Sequence, residues 1–357
     1  MATTYKTFLN NDITTTRTLL HEAIPITGSI ISGTYADANI KTFTSDLFEA
    51  VYDYPYLSSS ANHIFDITCG YSTGSQMSAS ALEDGVSTTD VHNKVNMYNE
   101  MAKVLVGHDV LGKIQPFDQD GNIVEGGTKI NEAYFLNFAR LLTKDEFKKE
   151  TFFLTLGTAS AYENPFPPAN QLIISDYGAM NEYRVNSPAG EYGILYTSSA
   201  NIQPDGSSGV GLIYYQAGVA VLSSSVLQGA GDRVIMTTAG LNSDSVSGTL
   251  SGSTITANAD ALRHRIYNIE FNNTTELNST IYFCRVNHNE FNYSSNPTYL
   301  SASQIVVKQQ TTDAPISFIT SVGLYAADNE LLGVAKLSEP LKKDPNNELI
   351  LRVRLDY

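Results

Sequence analysis

Short runs of β-forming residues, each closed off by Gly, Pro, Asn or Ser, recur along most of this chain and leave little room for a helical fold. The clearest lies at 349–356. There Leu349, Leu351, Val353 and Leu355 alternate with Ile350, Arg352, Arg354 and Asp356, the period-two pattern of a half-buried strand. Near the other end, Tyr5–Leu9, Ile24–Thr34 (interrupted by Gly28 and Gly33), the aromatic stretch Phe43–Tyr56 and the run Ile64–Cys69 make residues 1–75 a β-rich part. From residue 152 onward the signal returns. Phe152–Leu156, Leu172–Ile174, Tyr192–Tyr196, Val210–Tyr215, Gly218–Leu222, Tyr267–Phe271 and Thr280–Val286 are strand candidates. Residues 240–260, rich in Ser, Thr, Gly and Asn, read as a loop or exposed ribbon.

One stretch has a different period. Val91, Val95, Tyr98, Ala102 and Leu105 recur at helical spacing, with Asp90 placed as a cap and Gly107 as a stop. Ile130, Tyr134, Phe138 and Leu141 predict a second helix, and the hydroxyl-x-x-carboxylate spacing Thr143 to Glu146 predicts the start of a third. Between the first two, Asp120-Gly121 flanked by β-formers predicts a hairpin turn. The expected fold is mainly β, made of β-sandwich-like domains, with a helical segment near residues 86–150. The expected divisions are 1–75, a helical layer or insertion at 76–155, a β-rich domain with long polar loops at 156–260, and a C-terminal β unit at 261–357. No repeat of fixed period is present.

Composition narrows the function. Of the 357 residues 42% are hydrophobic, enough to bury a core, and the net charge of −15 lacks the basic patch that nucleic-acid binding needs. No run approaches the 18 apolar residues of a membrane span, and Met1–Lys6 lacks a basic start followed by an apolar run, so neither membrane insertion nor secretion is expected. In a reducing compartment Cys69 and Cys284 read as small buried hydrophobes, too few for a zinc site. Abundant Tyr and Phe, 21 and 15, suit contact surfaces.

Reactive constellations fail one by one. His288-Asn289-Glu290 matches H-x-E, but no P-C-x-x-C follows it. His264 stands between Arg263 and Arg265, which repel a cation. Asp118–Asn122 opens like a calcium loop, yet its Gly falls at position four and Lys129 stands where the closing carboxylate belongs. Gly206–Gly211 has no Lys after it to serve a phosphate, and no G-x-S-x-G occurs. Sequence spacing leaves a sugar-cleaving pair of carboxylates open. No catalytic, cofactor-binding or metal-binding residue is named, and no cofactor and no enzymatic activity are expected.

The last ~70 residues carry a resemblance. Pro315–Tyr325 (P-I-S-F-I-T-S-V-G-L-Y) leads through Asp328-Asn329 into Glu330–Lys336 (E-L-L-G-V-A-K). This resembles a segment found in tail, collar and baseplate proteins of tailed bacteriophages. Glu348–Tyr357 is similar to the terminal strand of myovirus-type virion proteins, and Gly211–Val221 and Tyr282–Tyr293 fit the same likeness. The resemblance implies a structural part of a phage tail apparatus, assembled in the host cytoplasm as copies of itself in a symmetric ring with neighbouring virion proteins. It leaves baseplate, neck and collar open, and residues 1–200 outside it. A capsid-surface or head-fibre decoration protein, or a receptor- or carbohydrate-binding module, is the alternative. The docking and core residues expected are Ile319, Val322, Leu324, Tyr325, Leu331, Leu332, Val334, Leu349, Leu351, Val353 and Leu355.

Overall fold

The computed structural model describes residues 5–20, 37–78, 88–123, 127–142, 145–159, 166–202, 207–227, 250–294, 296–302, 304–305, 310 and 312–357. In chain order the elements begin with β1 (Ile13–Leu20), β2 (Ile40–Thr42), β3 (Glu49–Tyr52), β4 (His63–Tyr71) and helix α1 (Thr88–Leu105). There follow β5 (Phe117–Asp118), β6 (Lys129–Ile130), β7 (Glu132–Asn137), β8 (Glu146–Phe147), β9 (Phe153–Gly157) and β10 (Gln171–Ser175). After the short helix α2 (Ala179–Glu182) come β11 (Arg184–Ser187), β12 (Gly190–Leu195), β13 (Gly211–Tyr214) and β14 (Val219–Ser223). Helix α3 (Ile255–Arg263) precedes β15 (Ile266–Glu270), β16 (Asn273–Val286), β17 (Leu300–Ser301), β18 (Gln304–Ile305), β19 (Ser317–Tyr325), β20 (Leu331–Lys343) and β21 (Leu349–Asp356). The fold is mainly β, as the sequence leads one to expect.

The chain forms two compact units. A central unit spans Leu20–Thr275, and a split unit joins Met1–Leu19 to Glu276–Tyr357. These divisions do not fall at the boundaries read from the sequence near 75, 155 and 260. Sequence composition tracks local character, whereas the split unit is defined by pairing across more than 250 residues.

The central unit is built on an eight-stranded antiparallel sheet of order β11-β12-β13-β14-β7-β4-β3-β2. Strand β7 lies inside it, with Leu136 opposite Ile67 of β4 and Ala220 of β14. Both faces of this sheet are covered. On one, Phe135 packs with Tyr98, Ala102 and Leu105 of α1 and with Phe117 and Ile130 of the β5–β6 pair. On the other, Tyr134 and Leu136 join a core with Leu154 and Leu156 of β9, Ile266 and Ile269 of β15, and Ile255, Ala259 and Leu262 of α3. Strands β10, β9 and β15 form a three-stranded sheet on that side.

This double burial explains the principal correction. The segment read as a second helix is β6, β7 and a single 3-10 turn at Ala139–Leu141. Ala133–Leu136 is apolar at every position because each face of the strand meets a core, and such a run satisfies helical spacing by accident. The third helix is also absent where it can be seen. Glu146 and Phe147 form β8, paired to Asn273 and Thr274, while Thr143 and Lys144 lie outside the described residues. Residues 250–260 are not a loop: Leu250 is buried, and α3 starts at Ile255, capped by the Thr254 hydroxyl, which accepts from the Ala257 N–H at 3.2 Å. Residues 240–249, like the strand expected at Ile24–Thr34, lie outside the described residues. Tyr5–Leu9 is irregular rather than a strand.

Helix α1 follows its sequence closely. Val91, Tyr98, Ala102 and Leu105 are buried and Val95 is half-buried. Gly107 takes φ +93 just past the last turn, where a side chain would be strained. Asp90 is the third residue of the helix, not its cap; there it still meets the positive end of the helix dipole. The helix lies close against β4 because Gly70 has no side chain: a Cβ there would sit 2.4 Å from the Lys94 carbonyl and 2.9 Å from the Tyr98 amide. Asp120-Gly121 lies in a turn, the Gly121 N–H donating to the Asp118 carbonyl at 3.3 Å, but the strand opposite β5 is β6, with Phe117 facing Ile130, and not the residues that directly follow Gly121.

In the split unit β16 is flanked by β1 and β21. Its pairing with β21 is regular, from Ser279 opposite Asp356 to Val286 opposite Leu349. Among the described residues, strands β19 and β20 pair only with each other, as a two-stranded ribbon, and β17–β18 is a smaller one.

Candidate functional site

The split unit differs from the central unit in where its apolar side chains lie. Both apolar cores of the described residues belong wholly to the central unit. Among the described residues of the split unit only Val286, Leu324 and Val353 are buried apolar residues. Among the described residues, fifteen large hydrophobic residues of this unit are exposed, against eleven in the much larger central unit. Isolated exposed apolar residues are ordinary, but a unit that exposes as many large apolar side chains as it covers is not.

The residues predicted for docking and core separate into three groups. Leu324 and Val353 are buried, at 7% and 8% exposure. Ile319, Val322, Leu349 and Leu351 are half-buried. Tyr325, Leu331, Leu332, Val334 and Leu355 are exposed, Leu332 to 68% and Val334 to 57%. Four of these last five lie on the β19–β20 ribbon, where Phe318 and Leu341 are exposed as well. The alternation noticed in β21 is real, yet its inward row is only partly covered.

Beside the ribbon runs a groove of about 640 Å³. Every residue of β19 lines it, and Tyr5–Phe8, Phe283–Val286 of β16, Phe291 and Tyr293 form its other walls. Tyr5 meets the Tyr325 ring edge-on at 4.8 Å. The charges at its border are neutralised in pairs. Lys6 Nζ lies 2.5 Å from Glu290, and Arg285 Nε lies 2.5 Å from Asp12. The Leu9 amide and Arg285 hold the Asp12 carboxyl below the usual range, and Lys6 does the same for Glu290. At the end of β21, Asp356 accepts from the Ser279 hydroxyl at 2.5 Å and from Arg354 Nε at 2.6 Å, which lowers its pKa. Lys343, fully buried, donates to the His288 carbonyl, the Asn292 side chain and the Asp344 carbonyl.

Charge divides between the units as sharply as apolar exposure does. The split unit has nine Lys and Arg against ten Asp and Glu, a net −1. The central unit has thirteen against twenty-seven, a net −14.

The groups weighed for chemistry sit apart. His288 pairs with Glu348 at 3.2 Å on the surface, and His264 packs by Asp260 and Arg263. Among the described residues no three His, Cys, Asp or Glu side chains converge as metal ligands do. Cys69 is buried, and burial pushes its thiol up to about 12; Cys284 is half-buried. Two buried polar anchors gave no sequence signal. Lys94 of α1 donates to the Leu250 and Ser253 carbonyls. Asp176, just after β10, accepts from the Glu150 and Phe152 amides at 2.8 and 3.2 Å and from the Tyr215 hydroxyl at 3.0 Å. Both tie backbone segments together.

Comparison with known protein families, curated proteins and solved structures finds no match to this chain.

Proposed function

We propose that this chain is a non-enzymatic structural protein that assembles with copies of itself through the split unit, and that it serves in the tail apparatus of a phage particle. One observation carries the assembly reading: among the described residues the split unit exposes half of its large apolar side chains and owns no apolar core. Apolar surface left in water costs about 25 cal/mol per Å², so association that covers it is favoured. Near-zero net charge on this unit removes the repulsion that would oppose contact between copies. The −14 of the central unit keeps unassembled chains soluble. The tail setting rests on the resemblance of residues 315–336 and 348–357 to phage tail, collar and baseplate segments.

Sedimentation of the purified full chain tests the assembly. Wild-type protein is expected to run as a homo-oligomer. Leu332→Glu with Val334→Glu, both exposed on the ribbon, is expected to run as a monomer with unchanged circular dichroism. A wild-type protein that stays monomeric at all concentrations overturns the reading.

A further inference from the structure

The β19–β20 ribbon has two outer edges, and they are not alike. Strand β20 carries the exposed charges Lys336, Glu339 and Lys342, and Pro340. Charges and proline are the usual means by which an exposed edge is kept from pairing. Strand β19, Ser-Phe-Ile-Thr-Ser-Val-Gly-Leu-Tyr, has neither a charge nor a proline over nine residues. Among the described free-edge strands of the split unit that are longer than two residues, β1 holds Arg17, β20 its lysines and β21 two arginines; β19 is uncharged. Among the described residues its outer edge has no strand partner, and every residue of the strand lines the groove. A hairpin of two strands is marginally stable in water, and a third strand relieves that.

We propose that β19 of one copy pairs antiparallel with β19 of a second copy across a twofold axis, joining two ribbons into one four-stranded sheet. This rests on the assembly reading above and names its contact. Self-pairing suits this strand. It brings no charge into the groove, where Phe291, Tyr293 and Leu351 stand, and it satisfies the free amide and carbonyl groups of both edges by backbone pairing. A twofold contact uses one patch twice, so a strand compatible with itself is the requirement. The split unit's net −1 sets no repulsion against it.

The test places one lysine on each strand of the ribbon in the full chain. Ser321→Lys, exposed on β19, is expected to weaken self-association at least tenfold by sedimentation, while Ser338→Lys, exposed on β20, leaves it unchanged. Hydrogen exchange on the wild-type protein gives an independent readout. Amides of Ser317–Tyr325 are expected to exchange at least tenfold faster on dilution to monomer. Equal association of Ser321→Lys and wild type, or concentration-independent exchange across β19, overturns the proposal. If Ser321→Lys associates normally while the Leu332→Glu/Val334→Glu protein does not, assembly through the split unit stands and the β19 contact falls. If the wild type never associates, both fall.

Discussion

Asp176 shows how a single carboxylate can hold a fold while working against its own burial. Three donors converge on it: the Glu150 and Phe152 amides and the Tyr215 hydroxyl. They favour the charged form, but burial outweighs them and raises its pKa to about 7, from 3.8. The sign of the linkage follows. Between about pH 4 and pH 7 the folded chain holds a proton that the unfolded chain has released. Asp176 therefore contributes stability fully below pH 4 and loses it as pH rises through 7. Asp176→Asn is expected to destabilise by roughly 2–3 kcal/mol, because its amide N–H₂ faces donors. The gap from wild type should shrink between pH 5 and pH 8. Urea unfolding across that range checks both, and a constant gap refutes the linkage. Nothing in the sequence announced this residue. Its importance comes from two loop amides and a tyrosine that only the tertiary fold brings to it, and the same holds for Lys94 and its two carbonyls.

The elements divide into those with one structural demand and those with two. Helix α1 was legible because it buries a single face, so its apolar residues keep a clean period. Strand β7 was not, since cores on both sides make Ala133–Leu136 uniformly apolar and its period vanishes. Helix α3 was hidden in Ser- and Thr-rich surroundings, where the Thr254 cap looks like more of the same loop. The strand positions β9, β10 and β12–β15 were read well, because each is a short apolar run between turn formers. At the ribbon the pattern of apolar residues was visible, but not that half of them face water. Where α1 meets β4 the packing has no slack. Gly70→Ala would press a Cβ against the backbone of Lys94 and Tyr98, so a loss of about 3 kcal/mol is expected, at the upper end of ordinary overpacking. Thermal unfolding checks it; a change within 0.5 kcal/mol, the ordinary range of surface changes, would mean that the helix can move aside freely.

For the molecule as a whole, the separation of charge from exposed apolar surface sets how assembly should respond to salt. In the proposed assembly copies meet through a unit of net −1 while each carries a unit of net −14. Added salt screens repulsion between the acidic units and takes little from a near-neutral contact. Association is expected to tighten between 50 and 500 mM NaCl, as read by sedimentation; weakening would point to ion pairs as the main cohesion. The split unit also carries a consequence for the order of events during synthesis. Strand β1 precedes the central unit in the chain, yet its strand partner among the described residues is β16, which follows that unit, and the sheet is incomplete until β21 is made. The whole central unit is made in between and can fold first, as units generally do during translation. Of the two units, the one proposed to carry the contact is thus the later to take shape, because its sheet needs strands from both sides of the other.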